Sequence, residues 1–158
     1  MSLMVAQTTT SCIQALATPV TMVGDSGADY IITGDGNDTL YGGSEADILF
    51  SSFGNDFIYG GTGNDSIFGY LGIDTMYGGT GTDYFNLIYD VRAGEYDVIA
   101  DWSLVDDYLY LPSAFAASTT YVNYAGGAYA DVALGSSHYY VYANGATAAD
   151  LAVSTFYV

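Results

Sequence analysis

The chain has 158 residues, of which 18 are acidic and only one is basic, so the formal net charge is −17 at pH 7. This balance excludes binding to nucleic acids and to anionic membranes, because both require basic side chains that displace counterions. With 51% hydrophobic and 16% aromatic residues, the composition also differs from that of acidic disordered segments. We therefore expect a folded chain whose natural partners are cations.

The first 23 residues form an uncharged segment that lacks the basic start of a Sec-type signal peptide. They contain Cys12, the single cysteine, so an intrachain disulfide and a cysteine-based zinc site are excluded. No apolar run in the chain reaches the length of about 18 residues that a membrane-spanning helix needs. We predict that residues 1–23 are a leader that caps the fold or contacts another subunit.

Residues 24–86 contain a nine-residue repeat in seven consecutive units. An aspartate recurs at every ninth position, as Asp29, Asp38, Asp47, Asp56, Asp65, Asp74 and Asp83. Two residues after each aspartate stands a large apolar residue, namely Ile31, Leu40, Leu49, Ile58, Ile67, Met76 or Phe85. Each unit thus reads as a polar, glycine-rich turn followed by a three-residue strand with one inward side chain. One such strand cannot bury its apolar residue alone, so successive units must stack.

The units resemble GGxGxDxUx, the nonapeptide of RTX proteins, most closely in GGTGNDSIF (residues 60–68) and GGTGTDYFN (residues 78–86). This resemblance implies an all-β fold, a right-handed parallel β-roll in which two nonapeptides make one coil. It also implies Ca²⁺ ions between successive turns along both edges of the roll. Residues 24–86 would then be a calcium-binding roll of three and a half coils.

Electrostatics supports calcium as the ligand of this roll. Coils of 18 residues place Asp29, Asp47, Asp65 and Asp83 in one row and Asp38, Asp56 and Asp74 in the other. Neighbouring carboxylates in a row would lie about 4.8 Å apart and repel each other by about 1 kcal/mol or more. Intercalated cations relieve this repulsion, and oxygen ligands suit Ca²⁺ better than zinc or copper. An aspartate in a single turn is usually a local hydrogen-bond acceptor, but seven in register favour calcium.

The two rows offer three and two inter-turn positions, which predicts about five Ca²⁺ ions and lowers the net charge from −17 to about −7. Backbone carbonyls of the turns complete each site. The predicted turn residues are Gly34, Gly36, Gly43, Gly61, Gly63, Gly79 and Gly81. The turns depart from the consensus at Glu45, Ser51, Ser52, Tyr70 and Leu71. These departures predict weaker sites beside Asp47, Asp56 and Asp74.

The nine-residue period stops after Asn86, and residues 87–158 are predicted to form a β-rich cap. The segments Asp97–Trp102 and Asp107–Leu111 resemble the D-x-I-x-D-F and D-x-I-D-L-S sequences that follow RTX rolls in serralysin-type proteases and in R-modules of mannuronan epimerases. Tyr110 stands where that pattern has an aspartate, so we assign no calcium site to Asp97 and Asp101. Residues 128–134 and 138–143 alternate like strands, and Thr147 with Asp150 forms a capping box before a short helix. The apolar end, residues 154–158, reads as a last strand or as the C-terminal type I export signal that the resemblance implies.

No catalytic residue is assigned, and we expect a protein that is not an enzyme. The chain lacks the H-E-x-x-H motif of serralysin proteases and the catalytic motif of epimerases. His138, the single histidine, stands in a strand pattern and is expected on a sheet face.

Two functions remain open for a secreted protein of this kind, exported by a type I system of a Gram-negative-type bacterium. The first is a self-associating structural subunit at the cell surface or in the extracellular matrix, such as an S-layer or fibre. The second is a carbohydrate-binding or secretion module of a larger RTX enzyme or adhesin, for which Tyr41, Tyr59 and Tyr77 would offer a polysaccharide an aromatic ladder.

The predicted outer faces of the roll favour self-association. One sheet would display Tyr30, Ile32, Ile48, Phe50, Ser66, Phe68, Tyr84 and Asn86, an unusually apolar set. The opposite sheet would display Thr39, Tyr41, Phe57, Tyr59, Thr75 and Tyr77. Either a neighbouring subunit covers the apolar face, or the leader (through Ile13, Leu16 and Val20) or the C-terminal half folds over it. We favour the neighbouring subunit.

Overall fold

The computed structural model describes residues 2–5, 12–14, 19–87, 92–103, 106–134 and 136–157. Their strands, numbered along the chain, are β1 (Ser2–Val5), β2 (Cys12–Gln14), β3 (Val20–Ser26), β4 (Tyr30–Ile32), β5 (Thr39–Ser44), β6 (Ile48–Phe50), β7 (Phe57–Thr62), β8 (Ser66–Phe68), β9 (Thr75–Thr80), β10 (Tyr84–Asn86), β11 (Tyr96–Ile99), β12 (Tyr108–Leu111), β13 (Thr119–Tyr124), β14 (Gly127–Leu134), β15 (Ser137–Asn144) and β16 (Thr155–Tyr157). A 3-10 turn spans Ser113–Ser118, and one helix, α1, spans Ala148–Ser154.

Successive strands of the repeat alternate between two parallel sheets. The first sheet has the order β1-β3-β5-β7-β9-β11-β15-β14-β13, and the second has the order β16-β12-β10-β8-β6-β4-β2. Within the repeat, residues 18 apart face each other, as Leu40 faces Ile58 in the first sheet and Leu49 faces Ile67 in the second. The predicted all-β parallel β-roll with two nonapeptides per coil is confirmed.

The core of the roll lies between the two sheets. All seven predicted inward residues, Ile31, Leu40, Leu49, Ile58, Ile67, Met76 and Phe85, are fully buried. Each side chain of this size contributes about 1.5–3 kcal/mol through burial. The same column continues beyond the repeat through Ile99 and Leu109, which are also fully buried.

The coil therefore extends past both ends of the repeat. Before it, β1 pairs with β3 and β2 pairs with β4, again with residues 18 apart facing each other. Val20 and Met22 lie in the core, so this part of the leader belongs to the roll instead of covering its apolar outer face. Ile13 lies in β2, and Leu16 lies outside the described residues. After the repeat, β11 pairs with β9 and β12 pairs with β10.

The C-terminal part closes the roll with a different kind of structure. Strand β15 pairs parallel with β11, and it continues as the antiparallel meander β15-β14-β13. The predicted strands at residues 128–134 and 138–143 are confirmed as β14 and β15. The predicted capping box is also present, since the side chains and amides of Thr147 and Asp150 bond reciprocally at the start of α1. The end of the chain forms β16, which pairs parallel with β12.

Within the described ranges, the chain has no helix that is long and apolar enough to cross a membrane.

Candidate metal centre

The seven predicted aspartates lie in two rows that cross the coils of the roll. Asp38, Asp56 and Asp74 immediately precede strands of the first sheet, and Asp29, Asp47, Asp65 and Asp83 immediately precede strands of the second. None is more than 3% exposed. The structure thus forms the two rows of four and three carboxylates that the repeat predicts.

Oδ1 of six of the seven aspartates, from Asp38 to Asp83, accepts a backbone N–H of the preceding coil. Oδ1 of Asp47 accepts the backbone N–H of Asp29 at 2.7 Å, and Oδ1 of Asp65 accepts that of Asp47 at 2.8 Å. The same bond joins Asp65 to Asp83, Asp38 to Asp56 and Asp56 to Asp74 at 2.7–3.0 Å. Each of these six aspartates therefore ties its own coil to the preceding coil.

The second carboxylate oxygen is the notable feature of the rows. In Asp38, Asp47, Asp65 and Asp74, Oδ2 is buried and has no hydrogen-bond partner among the described residues. A buried charged oxygen without a partner is strongly unfavourable, and proteins normally pair such a group with a cation or protonate it. These oxygens are suited to bind an ion.

Glycines leave space for the aspartate oxygens and for carbonyls of the next coil. A Cβ atom on Gly42 would lie 2.4 Å from Oδ2 of Asp47 and 2.6 Å from the carbonyl oxygen of Gly60. On Gly60 it would lie 2.4 Å from Oδ2 of Asp65 and 2.7 Å from the carbonyl oxygen of Gly78. A carboxylate and a carbonyl thus converge beside each of these glycines, and such hard oxygen ligands are the ones that Ca²⁺ prefers.

The turns have a left-handed backbone at their fourth position and, except at Gly34, at their second position. Of the seven predicted turn glycines, six have φ between 100° and 136°: Gly36, Gly43, Gly61, Gly63, Gly79 and Gly81. Gly34 does not have positive φ. Asp25, Glu45, Ser52 and Tyr70 occupy equivalent positions with φ of 67–78°, a conformation that costs a side-chain-bearing residue about 1–2 kcal/mol. Three of the predicted departures, Glu45, Ser52 and Tyr70, are therefore sites of backbone strain.

Burial makes the charged state of the rows unfavourable without a cation. Burial, with repulsion from the carboxylates of adjacent coils, raises the pKa of Asp65 to about 7 and that of Asp74 to about 9. Burial also raises the pKa values of Asp47 and Asp56 to about 6. The amide hydrogen bonds to these carboxylates act in the opposite direction and offset only part of the increase.

Two further aspartates extend the rows beyond the repeat. Oδ1 of Asp97 accepts the N–H of Asp74 at 2.8 Å, and Oδ1 of Asp107 accepts the N–H of Asp83 at 3.2 Å. Both residues lie outside the nine-residue period, which therefore predicts neither of them in a row. A signal is present, since Asp97-Val98-Ile99 and Asp107-Tyr108-Leu109 repeat the pattern of an aspartate followed two residues later by an apolar residue.

Asp101, two residues after β11, has a different role from the row aspartates. Its two carboxylate oxygens accept the N–H groups of Gly78 and Gly79, both at 2.9 Å. The side chain thus caps the last repeat turn through the amides of Gly78 and Gly79. These bonds support leaving Asp101 out of the calcium ligands.

The single histidine lies on an outer sheet face, as expected. His138 is part of β15, its side chain is 42% exposed, and its Nδ1 atom lies 2.6 Å from Oδ1 of Asp131. Within the described part of the chain, no three His, Cys, Asp or Glu side chains gather into a metal cluster. The row carboxylates are instead distributed one per coil at each edge.

This arrangement agrees with a comparison with protein families. The family model of the RTX calcium-binding nonapeptide repeat, which holds four copies, matches residues 23–58 and 50–85. Residues 23–85 are RTX repeats. Repeats of this family bind Ca²⁺, and the buried aspartate oxygens of this RTX roll fit that ion. A search of curated proteins gave no match to the chain. The similarity of residues 87–158 to serralysins and R-modules stays a prediction, since the family match ends at residue 85.

Proposed function

We propose that this protein is a secreted, non-enzymatic structural protein whose RTX roll folds on Ca²⁺ outside the cell and then self-associates. The observation that carries the proposal is that both rows contain buried Oδ2 atoms without hydrogen-bond partners among the described residues, in Asp38, Asp47, Asp65 and Asp74. Without metal these groups disfavour the folded state, so the energy of calcium binding becomes folding energy.

In this proposal the ligands are the aspartates of both rows and carbonyl oxygens of the turns. Three ions lie between Asp29, Asp47, Asp65 and Asp83, and two lie between Asp38, Asp56 and Asp74, which gives about five ions in all. The turn glycines Gly34, Gly36, Gly43, Gly61, Gly63, Gly79 and Gly81 provide the backbone that approaches the ions. Residues 24–86 are then the calcium-binding unit, with residues 1–23 as leader and residues 87–158 as cap.

Calcium concentration would couple folding to export. In a cytosol with little free Ca²⁺ the repeat stays unfolded, a state suited to passage through a type I exporter, and millimolar Ca²⁺ outside the cell then folds it. A non-enzymatic role is favoured because the row aspartates serve the ions and His138 pairs with Asp131 on a sheet face.

Circular dichroism of the full chain, with chelator and with millimolar Ca²⁺, tests this proposal. We expect β structure to increase strongly on addition of Ca²⁺ and to be lost again with excess chelator. Mg²⁺ is the matched control, because its small octahedral shell fits poorly between rows of carboxylates and carbonyls. An identical β-rich spectrum with chelator and with Ca²⁺ would contradict calcium-driven folding.

The proposed contact surface for self-association is the apolar outer face of the second sheet. Tyr30 and Ile48 are 36% and 39% exposed, and the rings of Phe50 and Phe68 stack with centroids 4.2 Å apart beside them. Apolar surface of this kind, when contiguous and exposed, marks association sites. A second copy of the chain at the cell surface or in an extracellular matrix is the occupant that we propose.

A second candidate function, a carbohydrate-binding module of a larger protein, is favoured by the opposite face. Tyr41, Tyr59 and Tyr77 form a ladder there, with ring centroids 6.3 and 5.9 Å apart and with Tyr41 and Tyr59 each 38% exposed. Exposed rings of this kind can stack on sugar rings. Retention of the calcium-bound protein by an immobilised polysaccharide, lost in Tyr59→Ala but not in Phe50→Ser, would favour this candidate.

A further inference from the structure

The last aspartate of each row differs from the aspartates before it. Oδ1 of Asp97 accepts the N–H of Asp74, as in the rest of the row, but its Oδ2 accepts a hydrogen bond from the hydroxyl of Tyr139. Both side chains are fully buried. The Tyr139 hydroxyl thus provides a donor for Oδ2 of Asp97. The corresponding oxygen of Asp74, one coil earlier, has no hydrogen-bond partner among the described residues.

The other row ends in an equivalent way. Oδ1 of Asp107 accepts the N–H of Asp83, and its Oδ2 accepts the N–H of Ser103 at 2.7 Å. Both oxygens of each terminal carboxylate therefore have hydrogen-bond donors. Since a buried carboxylate is stabilised by donors as well as by a cation, these two groups do not require an ion.

We propose that the C-terminal part ends both calcium rows with its own hydrogen-bond donors, chiefly the Tyr139 hydroxyl, so that Asp97 and Asp107 bind no Ca²⁺ and β13, β14, β15 and α1 stay folded without it. This inference rests on the proposed calcium-dependent folding of the repeat. It divides the chain into a metal-dependent roll and a metal-independent end against which the roll assembles.

The composition of the C-terminal part supports its independence from metal. Buried apolar residues also occur beyond the strands that pair with the roll, namely Ala128, Ala130, Val132, Val141, Ala143, Ala146 and Leu151. Its antiparallel meander is joined by short connections, which favour folding through local contacts. Trp102, the single tryptophan, lies at the junction with the roll, with its ring centroid 6.0 Å from that of Phe85.

One group of the C-terminal part offers an alternative. Oε2 of Glu95 is buried and has no hydrogen-bond partner among the described residues, and its charge adds to the repulsion that raises the pKa of Asp74. If Asp74 and Glu95 shared an ion, the row would continue beyond the repeat. The test must therefore include Glu95.

Counting bound Ca²⁺ on the full chain tests where the rows end. We expect Asp97→Asn, Asp107→Asn and Glu95→Gln to bind as many ions as the wild type, whereas Asp65→Asn binds fewer. Loss of an ion in Asp97→Asn, Asp107→Asn or Glu95→Gln would overturn the proposal. An unchanged count in Asp65→Asn would instead count against the proposed function.

Hydrogen exchange of the calcium-free full chain tests the metal-independent fold. We expect amides of β14 and β15 to stay protected while those of β5 and β7 exchange as in an unfolded chain. Equal, unprotected exchange in both regions would overturn the proposal.

The role of Tyr139 is tested by Tyr139→Phe, with Tyr140→Phe on the outer face of the same strand as matched control. Leaving Oδ2 of Asp97 without a donor should speed exchange in β15 about tenfold or more, both with and without Ca²⁺. The control should change it less than about twofold. Equal effects of the two substitutions would refute the role of Tyr139. If Tyr139→Phe fails to fold, the ion count of Asp97→Asn decides.

Discussion

The backbone N–H of Asp47 donates a hydrogen bond of 2.8 Å to Oδ1 of Asp65, one coil later. This bond fixes the Asp65 carboxylate in one orientation, so that its other oxygen is buried beside Gly60. A single side chain thus links two coils through Oδ1 and leaves Oδ2 for an ion. This division of the carboxylate allows separate experiments on the scaffold and on the metal.

Asp65→Asn should impair calcium binding while keeping the scaffold bond. The amide oxygen of asparagine can still accept the N–H of Asp47, but the negative charge and the second oxygen ligand are lost. We expect the affinity of the affected site to fall about tenfold or more, equivalent to about 1.4 kcal/mol, and the midpoint of calcium-dependent folding to rise. Calcium titrations followed by circular dichroism measure this shift. Exposed Asp35 provides the control, and an equal shift in Asp35→Asn would point to net charge as the cause.

Glu45→Gly should stabilise the calcium-bound roll. Glu45 has φ of 78° at a turn position where Gly36, Gly63 and Gly81 have positive φ. Relief of this strain outweighs the added freedom of glycine in the unfolded chain, for a net gain of about 0.5–1 kcal/mol. Denaturant unfolding in excess Ca²⁺ measures the gain. Thr62→Gly, at a turn position without positive φ, should instead lower stability, and a gain there would contradict the argument from strain.

The nine-residue period was sufficient to predict the roll, its inward column and its two rows of carboxylates. In each unit the apolar residue defines the inward column, and the aspartate defines the row. It did not reveal that the roll continues, since Asp97 follows Asp74 by 23 residues and Asp107 follows Asp83 by 24 instead of 18. The first coil, with β1 and β2, was missed because residues 1–23 contain no aspartate and no glycine. The bond between Tyr139 and Asp97 joins residues 42 apart, and no local pattern encodes such a contact.

The calcium-free roll should be more stable in acid than at neutral or alkaline pH. Asp65 and Asp74 have folded-state pKa values of about 7 and about 9, both above the unfolded value of 3.8. The folded state therefore binds more protons, and stability falls as pH rises from about 4 through these pKa values, by up to about 1.4 kcal/mol per pH unit for each group. Circular dichroism in metal-free buffers measures the trend.

Asp74→Asn is the matched control for this pH dependence, because asparagine resembles the protonated carboxyl group. We expect the stability of the calcium-free variant to no longer fall between pH 7 and pH 9. Stability of the calcium-free wild type that rises with pH would contradict the assignment. In the presence of Ca²⁺ the trend reverses, since protons and Ca²⁺ compete for the same oxygens.

The calcium sites should fill in an order set by their turns. The site between Asp65 and Asp83 joins two turns with the full glycine consensus, at Gly61, Gly63, Gly79 and Gly81. The site between Asp56 and Asp74 joins turns in which Ser52 and Tyr70 carry positive φ. Because the strained turns are less favourable, we expect the first site to retain its ion at lower Ca²⁺. Crystallographic occupancies at limiting Ca²⁺ measure the order, and earlier filling of the second site would reverse this conclusion.

Self-association should depend on the apolar face of the second sheet and on Ca²⁺. Phe50 is central to this face, because its ring contacts those of Tyr30, Phe68 and Tyr70 at centroid distances of 4.2–6.0 Å. Replacing Phe50 or Phe68 by serine should weaken association by removing apolar area that a second copy would bury. Light scattering across the micromolar range in millimolar Ca²⁺ measures the effect. Phe57→Ser, on the outer face of the opposite sheet, is the matched control and should leave association unchanged. A wild type that stays monomeric throughout this range, with its roll folded, would exclude assembly through this face and favour the carbohydrate-binding function.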